Sequence, residues 1–124
     1  MFRDTPTFSS FAVDDLDAAR SFYGETLGVE VGEGPMGVLE LRLAGDRTTM
    51  VYPKPDFTPA TYTVLNFRVP DLDAAVDELS GRGVEFERYE GFDQDERGVM
   101  RGNGPDIAWF KDPAGNILSV IQSD

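Results

Sequence analysis

A chain of 124 residues is long enough for one domain with a sizeable core, and 40% hydrophobic residues suit a globular protein. It contains no cysteine and no histidine, which excludes disulfides, thiolate or imidazole metal sites and histidine-based triads. A formal net charge of −12 repels phosphate backbones, so no nucleic-acid partner is expected, and it favours cationic partners.

In chain order, Thr7 to Val13 alternates like a strand, with Phe11 and Val13 on one face and Phe8 and Ser10 on the other. Asp15 then has the character of a helix N-cap, and Leu16, Ala19, Tyr23 and Leu27 share one helical face up to a stop at Gly28. Val29 to Val31 begins a strand, and Gly32 to Gly37 reads as a turn. In Val38 to Leu43 the three leucines form one face and Val38, Glu40 and Arg42 the other. A turn at Ala44-Gly45-Asp46 leads to a strand over Arg47 to Tyr52. Pro53 to Pro59 carries three prolines and links two halves.

The second half repeats the first. VDDLDAA at Val13 to Ala19 returns as VPDLDAA at Val69 to Ala75, an offset of 56 residues. Tyr62 to Val69 alternates, with Leu65, Phe67 and Val69 on one face and Tyr62, Val64, Asn66 and Arg68 on the other. Asp71 caps a helix carrying Leu72, Ala75, Val76 and Leu79, which stops at Gly81-Arg82-Gly83. Val84 to Tyr89 is read as a strand. Gly91 to Gly104 is polar, glycine-rich and longer than its counterpart turn; it is either a lid or a surface excursion. Ile107 to Lys111 and Asn116 to Ile121 close the unit around the turn Asp112-Pro113-Ala114-Gly115. No apolar run approaches the ~20 residues that span a bilayer, and MFRDTPTF lacks the apolar stretch of a secretory signal, so a cytoplasmic location without a membrane partner is expected.

The paired V-x-D-L-D-A-A helix starts, Phe22-Tyr23 in the first helix and Asp112-Pro113-Ala114-Gly115-Asn116 before the last strand are similar to the vicinal oxygen chelate superfamily, also called the glyoxalase, bleomycin-resistance and dioxygenase superfamily. The resemblance covers nearly the whole chain. It implies an α+β fold in a single domain over residues 1–124, made of two βαβββ modules at 5–53 and 61–123. Their strands would form a curved, cup-like mixed sheet with the helices on the outer face. It also implies a homodimer, with modules pairing within one chain or swapping between two.

In metalloenzymes of this family the metal ligands are His, Glu or Gln on the first and last strands of each module. The matching positions here are Phe8, Val64, Ser119 and a residue near Thr49. Phenylalanine and valine offer no donor, so neither a metal nor another cofactor is expected. The residues facing the cup would then be Phe8, Ser10, Glu40, Arg42, Tyr62, Val64, Asn66, Arg68 and Ser119, with Met100 from the long loop and Trp109 from the penultimate strand. Each has a plainer reading too: Phe8 and Val64 could fill the cup, Glu40 and Arg42 could pair with strand neighbours, Arg68 could pair with Asp106, and Trp109 could be core.

Three functions stay open. The first is a metal-free protein that sequesters a hydrophobic or cationic small molecule in an aromatic-lined cup, as the bleomycin-resistance branch does. The second is a metal-independent lyase- or isomerase-type enzyme, with Glu40 or Asp106 as base and Tyr62 or Arg68 stabilising an enolate or oxyanion. The third is a pocketless or regulatory scaffold.

Overall fold

The computed structural model describes residues 1–102 and 104–123. The chain divides into two compact units, Met1–Thr58 and Pro59–Asp124. The first contains β1 (Ser9–Val13), α1 (Leu16–Ser21), β2 (Glu30–Glu33), β3 (Leu39–Leu43) and β4 (Arg47–Pro53). Its sheet has the order β1-β4-β3-β2, with β1 parallel to β4 and the other pairs antiparallel. The second contains β5 (Thr63–Val69), α2 (Leu72–Gly81), β6 (Ile107–Lys111) and β7 (Ile117–Gln122). Its sheet has the order β5-β7-β6, with β5 parallel to β7 and β6 antiparallel to it. The fold is therefore mixed α+β, with its described strands divided between two hydrogen-bonded sheets.

The repeated acidic motif starts both helices by the same device. The Asp15 carboxylate accepts the Ala18 amide at 3.1 Å, and the Asp71 carboxylate accepts the Ala74 amide at 3.1 Å. Each cap satisfies an amide that the helix itself leaves open. Beyond Ser21 the first helix widens into a π turn over Phe22–Thr26, and the Leu27 amide donates to the Phe22 carbonyl at 2.9 Å. The sequence pattern predicts a regular helix to Leu27. Gly24 weakens helical preference inside this turn, while Tyr23 is completely buried against Phe11, ring centroids 5.8 Å apart.

In the first unit, Phe11, Val13, Leu39, Leu41 and Val51 form the buried face of the sheet, on the side of the helical residues Ala19 and Tyr23. In the second, Leu118, Val120, Ala108 and Phe110 do the same with Leu72 and Val76 of α2. Burying each large aliphatic side chain contributes about 1.5–3 kcal/mol. The opposite faces of both sheets carry the mixed polar and apolar residues considered below.

One expected strand is reduced. Val84 to Tyr89 makes a single bridge, Phe86 with Phe110, and one further bond from the Glu87 amide to the Trp109 carbonyl at 2.8 Å. The Gln94 side chain occupies what a longer ladder would use: its oxygen accepts the Tyr89 amide at 2.8 Å, and its NH₂ donates to the Glu87 carbonyl at 3.0 Å and to the Gly98 carbonyl at 2.7 Å. Among the described residues no helix is long and apolar enough to cross a membrane.

Candidate functional site

The register of the second sheet sets its open face. Asn66, Ser119 and Trp109 lie abreast on β5, β7 and β6, and Arg68, Ile121 and Ile107 form the next row. Met100 bridges Ile107 and prolongs that second row. Pairing therefore assigns Trp109 to the open face, a point that alternation alone does not decide. On the other side of the Asn66 row the pairing slips: Thr63 opposes Ile117 while Leu65 opposes Leu118. Val64 is the unmatched residue of a bulge, and a bulge changes which side chains share a face.

A chain reversal beside Trp109 completes a wall of rings. The Phe92 amide donates to the Tyr89 carbonyl at 3.1 Å, closing a four-residue turn. Gly91, third in that turn, has φ +86°, a left-handed conformation that glycine adopts without steric cost. The turn lays Phe92 against Trp109 (centroids 5.4 Å) and against Tyr89 (5.5 Å), and Tyr89 meets Trp109 at 5.6 Å and 80°. These are the tilted and edge-on contacts that aromatic pairs prefer.

In front of these rings is a cavity of ≈ 530 Å³, within the range of small-molecule sites. Thr61, Tyr62, Thr63 and Ile117 complete its lining with Glu90, the single charged residue there. The surface is predominantly apolar and open to solvent, with Tyr62 exposed by 69% and Phe92 by 48%. Among the described residues the Tyr89 hydroxyl is the one buried side-chain polar atom without a hydrogen-bond partner. Burial, with the nearby Glu87 charge adding to it, pushes the phenol pKa above its ordinary value.

The long loop that follows Phe92 is tied down. Arg97 reaches Asp73 at 3.0 Å and Asp77 at 2.6 Å on α2. Arg101 reaches Asp73 at 2.7 Å and Asp106 at 2.8 Å. The hydrogen bond from Arg101, with Arg97 adding to it, holds the Asp73 carboxyl below the usual carboxylate range. Asn103, part of the expected lid, lies outside the described residues.

The candidate residues are distributed as follows. Phe8 is 67% exposed, just before β1. Ser10, Glu40 and Arg42 lie on the open face of the first sheet, where Met50 stands between Ser10 and Glu40 in the register. Arg42 bonds Glu40 at 3.0 Å, lies 3.5 Å from Glu30 and folds across Gly32, where an added Cβ would meet the guanidinium at 2.5 Å. Tyr62 and Trp109 line the cavity of the second unit; Val64, Asn66, Arg68, Met100 and Ser119 do not. Asp106 is held by Arg101 rather than by Arg68, so both proposed carboxylate bases are engaged by arginines. Tyr89, Glu90 and Phe92 are absent from the sequence-based list. Phe92, a lone aromatic opening a polar glycine-rich stretch, was the available signal.

The metal positions do not fit a metal. Phe8 and Val64 lack donors. Ser119 is fully buried and donates its hydroxyl to Asn66 Oδ1 at 2.5 Å. Asn66 pairs with Ser119, and Ser10, which precedes Asn66 by the 56-residue repeat offset, pairs with Met50. Met50, not Thr49, is thus the counterpart of Ser119, whereas Thr49 is buried and shares a hydrogen bond with Ser9 at 2.8 Å. Among the described residues no group of three or more acidic side chains is placed to hold a metal ion.

Comparison with known proteins matches residues 7–120 to a family model described as Glyoxalase/Bleomycin resistance protein/Dioxygenase superfamily. TnmS3, an antibiotic binding protein from Streptomyces sp. CB03234, is similar in structure with a TM-score of 0.72 and 26% identity, and 98% of each chain is covered. A glyoxalase/bleomycin resistance protein from the same organism gives 0.66 and 27%, over 94% of this chain and all of that one. A superfamily member from Sphaerobacter thermophilus DSM 20745 gives 0.71 over 95% and 98% of the two chains; at 21% identity that likeness concerns the fold alone. No curated protein matches the sequence.

Proposed function

Because the chain belongs to the glyoxalase/bleomycin resistance protein/dioxygenase superfamily, we propose that it is a metal-free binding protein that sequesters a hydrophobic or cationic small molecule. The observation that carries this reading is the cavity of ≈ 530 Å³ walled by Tyr89, Phe92 and Trp109. A ligand entering it buries apolar surface against rings whose positions the Gly91 turn and the Gln94 side chain already define, so little ordering opposes binding. The likeness to an antibiotic binding protein supports the same reading, as does the apolar character of Phe8, Val64 and Met50. The homodimer implied by family resemblance belongs to this proposal. The exposed Phe8 and Tyr52, on the open side of the first sheet, give it a surface to cover.

The test uses Trp109, the sole tryptophan. A small-molecule library is screened for compounds that quench its emission and also raise the melting temperature. Hits that do both, and lose both effects in Phe92→Ala, support sequestration. A screen without a stabilising compound refutes it. Sedimentation at micromolar protein tests the dimer, and a monomer throughout would refute that part.

A further inference from the structure

We infer that the cavity of the second unit selects an organic cation: a protonated or quaternary nitrogen carried on an apolar, ring-sized body. The inference rests on the binding reading above and adds to it the charge of the ligand. Three observations carry it. First, the wall is aromatic and its rings are mutually inclined, by 51° for Phe92 and Trp109, 62° for Tyr89 and Phe92 and 80° for Tyr89 and Trp109. An inclined contact sets the edge of one ring on the face of the other, so it covers one ring face where a parallel stack covers two. A ring face is the negative side of the quadrupole and attracts cations.

Second, the charged residue in the lining is an acid, Glu90, which is exposed. Arg68, one row from Trp109 on the same face, is not in the lining, and two other basic residues nearby are engaged elsewhere. Lys111 lies 3.4 Å from Glu87, and Arg88 donates to the Asp95 carbonyl. An anionic ligand would face Glu90 with no lining cation to offset it, whereas a cation gains both the carboxylate and the rings. Third, the chain carries a net charge of −12, which concentrates cations near its surface before any contact forms.

The probes are three acridines sharing one ring system: N-methylacridinium, acridine at pH 8, where it is uncharged, and acridine-9-carboxylate. Binding is read by fluorescence anisotropy at low salt. The expected order of affinity is cation, neutral ring, anion, with the cation roughly tenfold tighter than the neutral ring. Glu90→Gln should weaken the cation more than the neutral ring, and Phe92→Ala should weaken both. Equal affinity for cation and neutral ring would overturn the charge selection and leave the pocket reading standing. Absence of binding by all three would overturn both. A cation preference that persists undiminished in Glu90→Gln and Phe92→Ala would assign it to the surface charge at large and overturn the site. Thermal melts establish that both variants are folded.

Discussion

The Ser119 hydroxyl donates to Asn66 Oδ1 at 2.5 Å across the parallel pair of β5 and β7, and only one end of that bond is exposed to water. Ser119 has no exposed surface, whereas Asn66 is exposed. Asn66→Ala should therefore cost more than Ser119→Ala. The first strands a buried hydroxyl, at about 1–3 kcal/mol, and the second leaves an amide oxygen that water can reach, at about 1 kcal/mol. Urea denaturation of the two variants measures the difference. Equal losses would mean that Ser119 has another partner.

The same residue bears on metal content. With Ser119 committed to Asn66 and apolar side chains at Phe8, Val64 and Met50, a chelator is expected to find nothing to remove. EDTA should move the melting temperature by less than about 1 °C, and elemental analysis of protein purified without chelator should find no stoichiometric zinc, nickel, manganese or iron. One metal ion per chain would sink the metal-free reading.

Gly91 is the backbone condition for the ring wall. Nothing lies within 4 Å of a Cβ placed there, so Gly91→Ala meets no steric obstacle and strains only a φ of +86°. The expected loss is about 1–2 kcal/mol, accompanied by a shift in Trp109 emission as Phe92 moves. Unchanged emission would show that Gln94 alone suffices to place Phe92.

Tyr89 offers a test in the opposite direction. Its hydroxyl is buried without a partner among the described residues, so Tyr89→Phe removes a polar group that gains nothing from folding. Stability should hold or rise by up to about 1 kcal/mol. A clear loss in equilibrium unfolding would reveal a hydrogen bond to that hydroxyl in solution.

The arginine contacts of the long loop depend on pH. A carboxyl whose pKa is lowered in the folded state contributes stability above its unfolded pKa and loses it as pH falls through the folded value. Asp73 is such a group, through Arg101 first and Arg97 next. Asp95 is lowered as well: its burial acts the other way and is outweighed by the Val99 and Arg97 amides and by Arg101. Loop amides at residues 93–102 should stay ordered from neutral pH to about pH 5 and loosen below about pH 4. Asp73→Asn should loosen them at neutral pH. NMR relaxation reads both, and a loop equally ordered at pH 3 would contradict the assignment.

Local features of the fold were legible because their causes are local. Asp15 and Asp71 precede apolar residues at helical spacing, and Leu39, Leu41 and Leu43 alternate with Glu40 and Arg42, so caps, helices and strand faces follow from neighbours in sequence. The ring wall was not legible, because Tyr89 meets Trp109 across 20 positions through a pairing that one amide side chain, Gln94, cuts short. Trp109 could be assigned a face only once its partner Ser119 was known. Likewise the choice between Thr49 and Met50 turned on a register that no residue type announces.

The unmatched residue at Val64 has a consequence for descent. Two copies of an ancestral unit can drift apart by substitution while each side chain keeps its side of the sheet. A bulge breaks that inheritance. Thr63 faces Ile117 and borders the cavity, where strict alternation from Asn66 would have set Val64. In the first unit β1 and β4 run from Ser9 to Val13 without such a step. A relative lacking the bulge would present a different cavity floor even if every aligned residue were identical. Among kin of this chain, ligand preference is therefore expected to follow insertions and deletions in the fifth strand more closely than percentage identity.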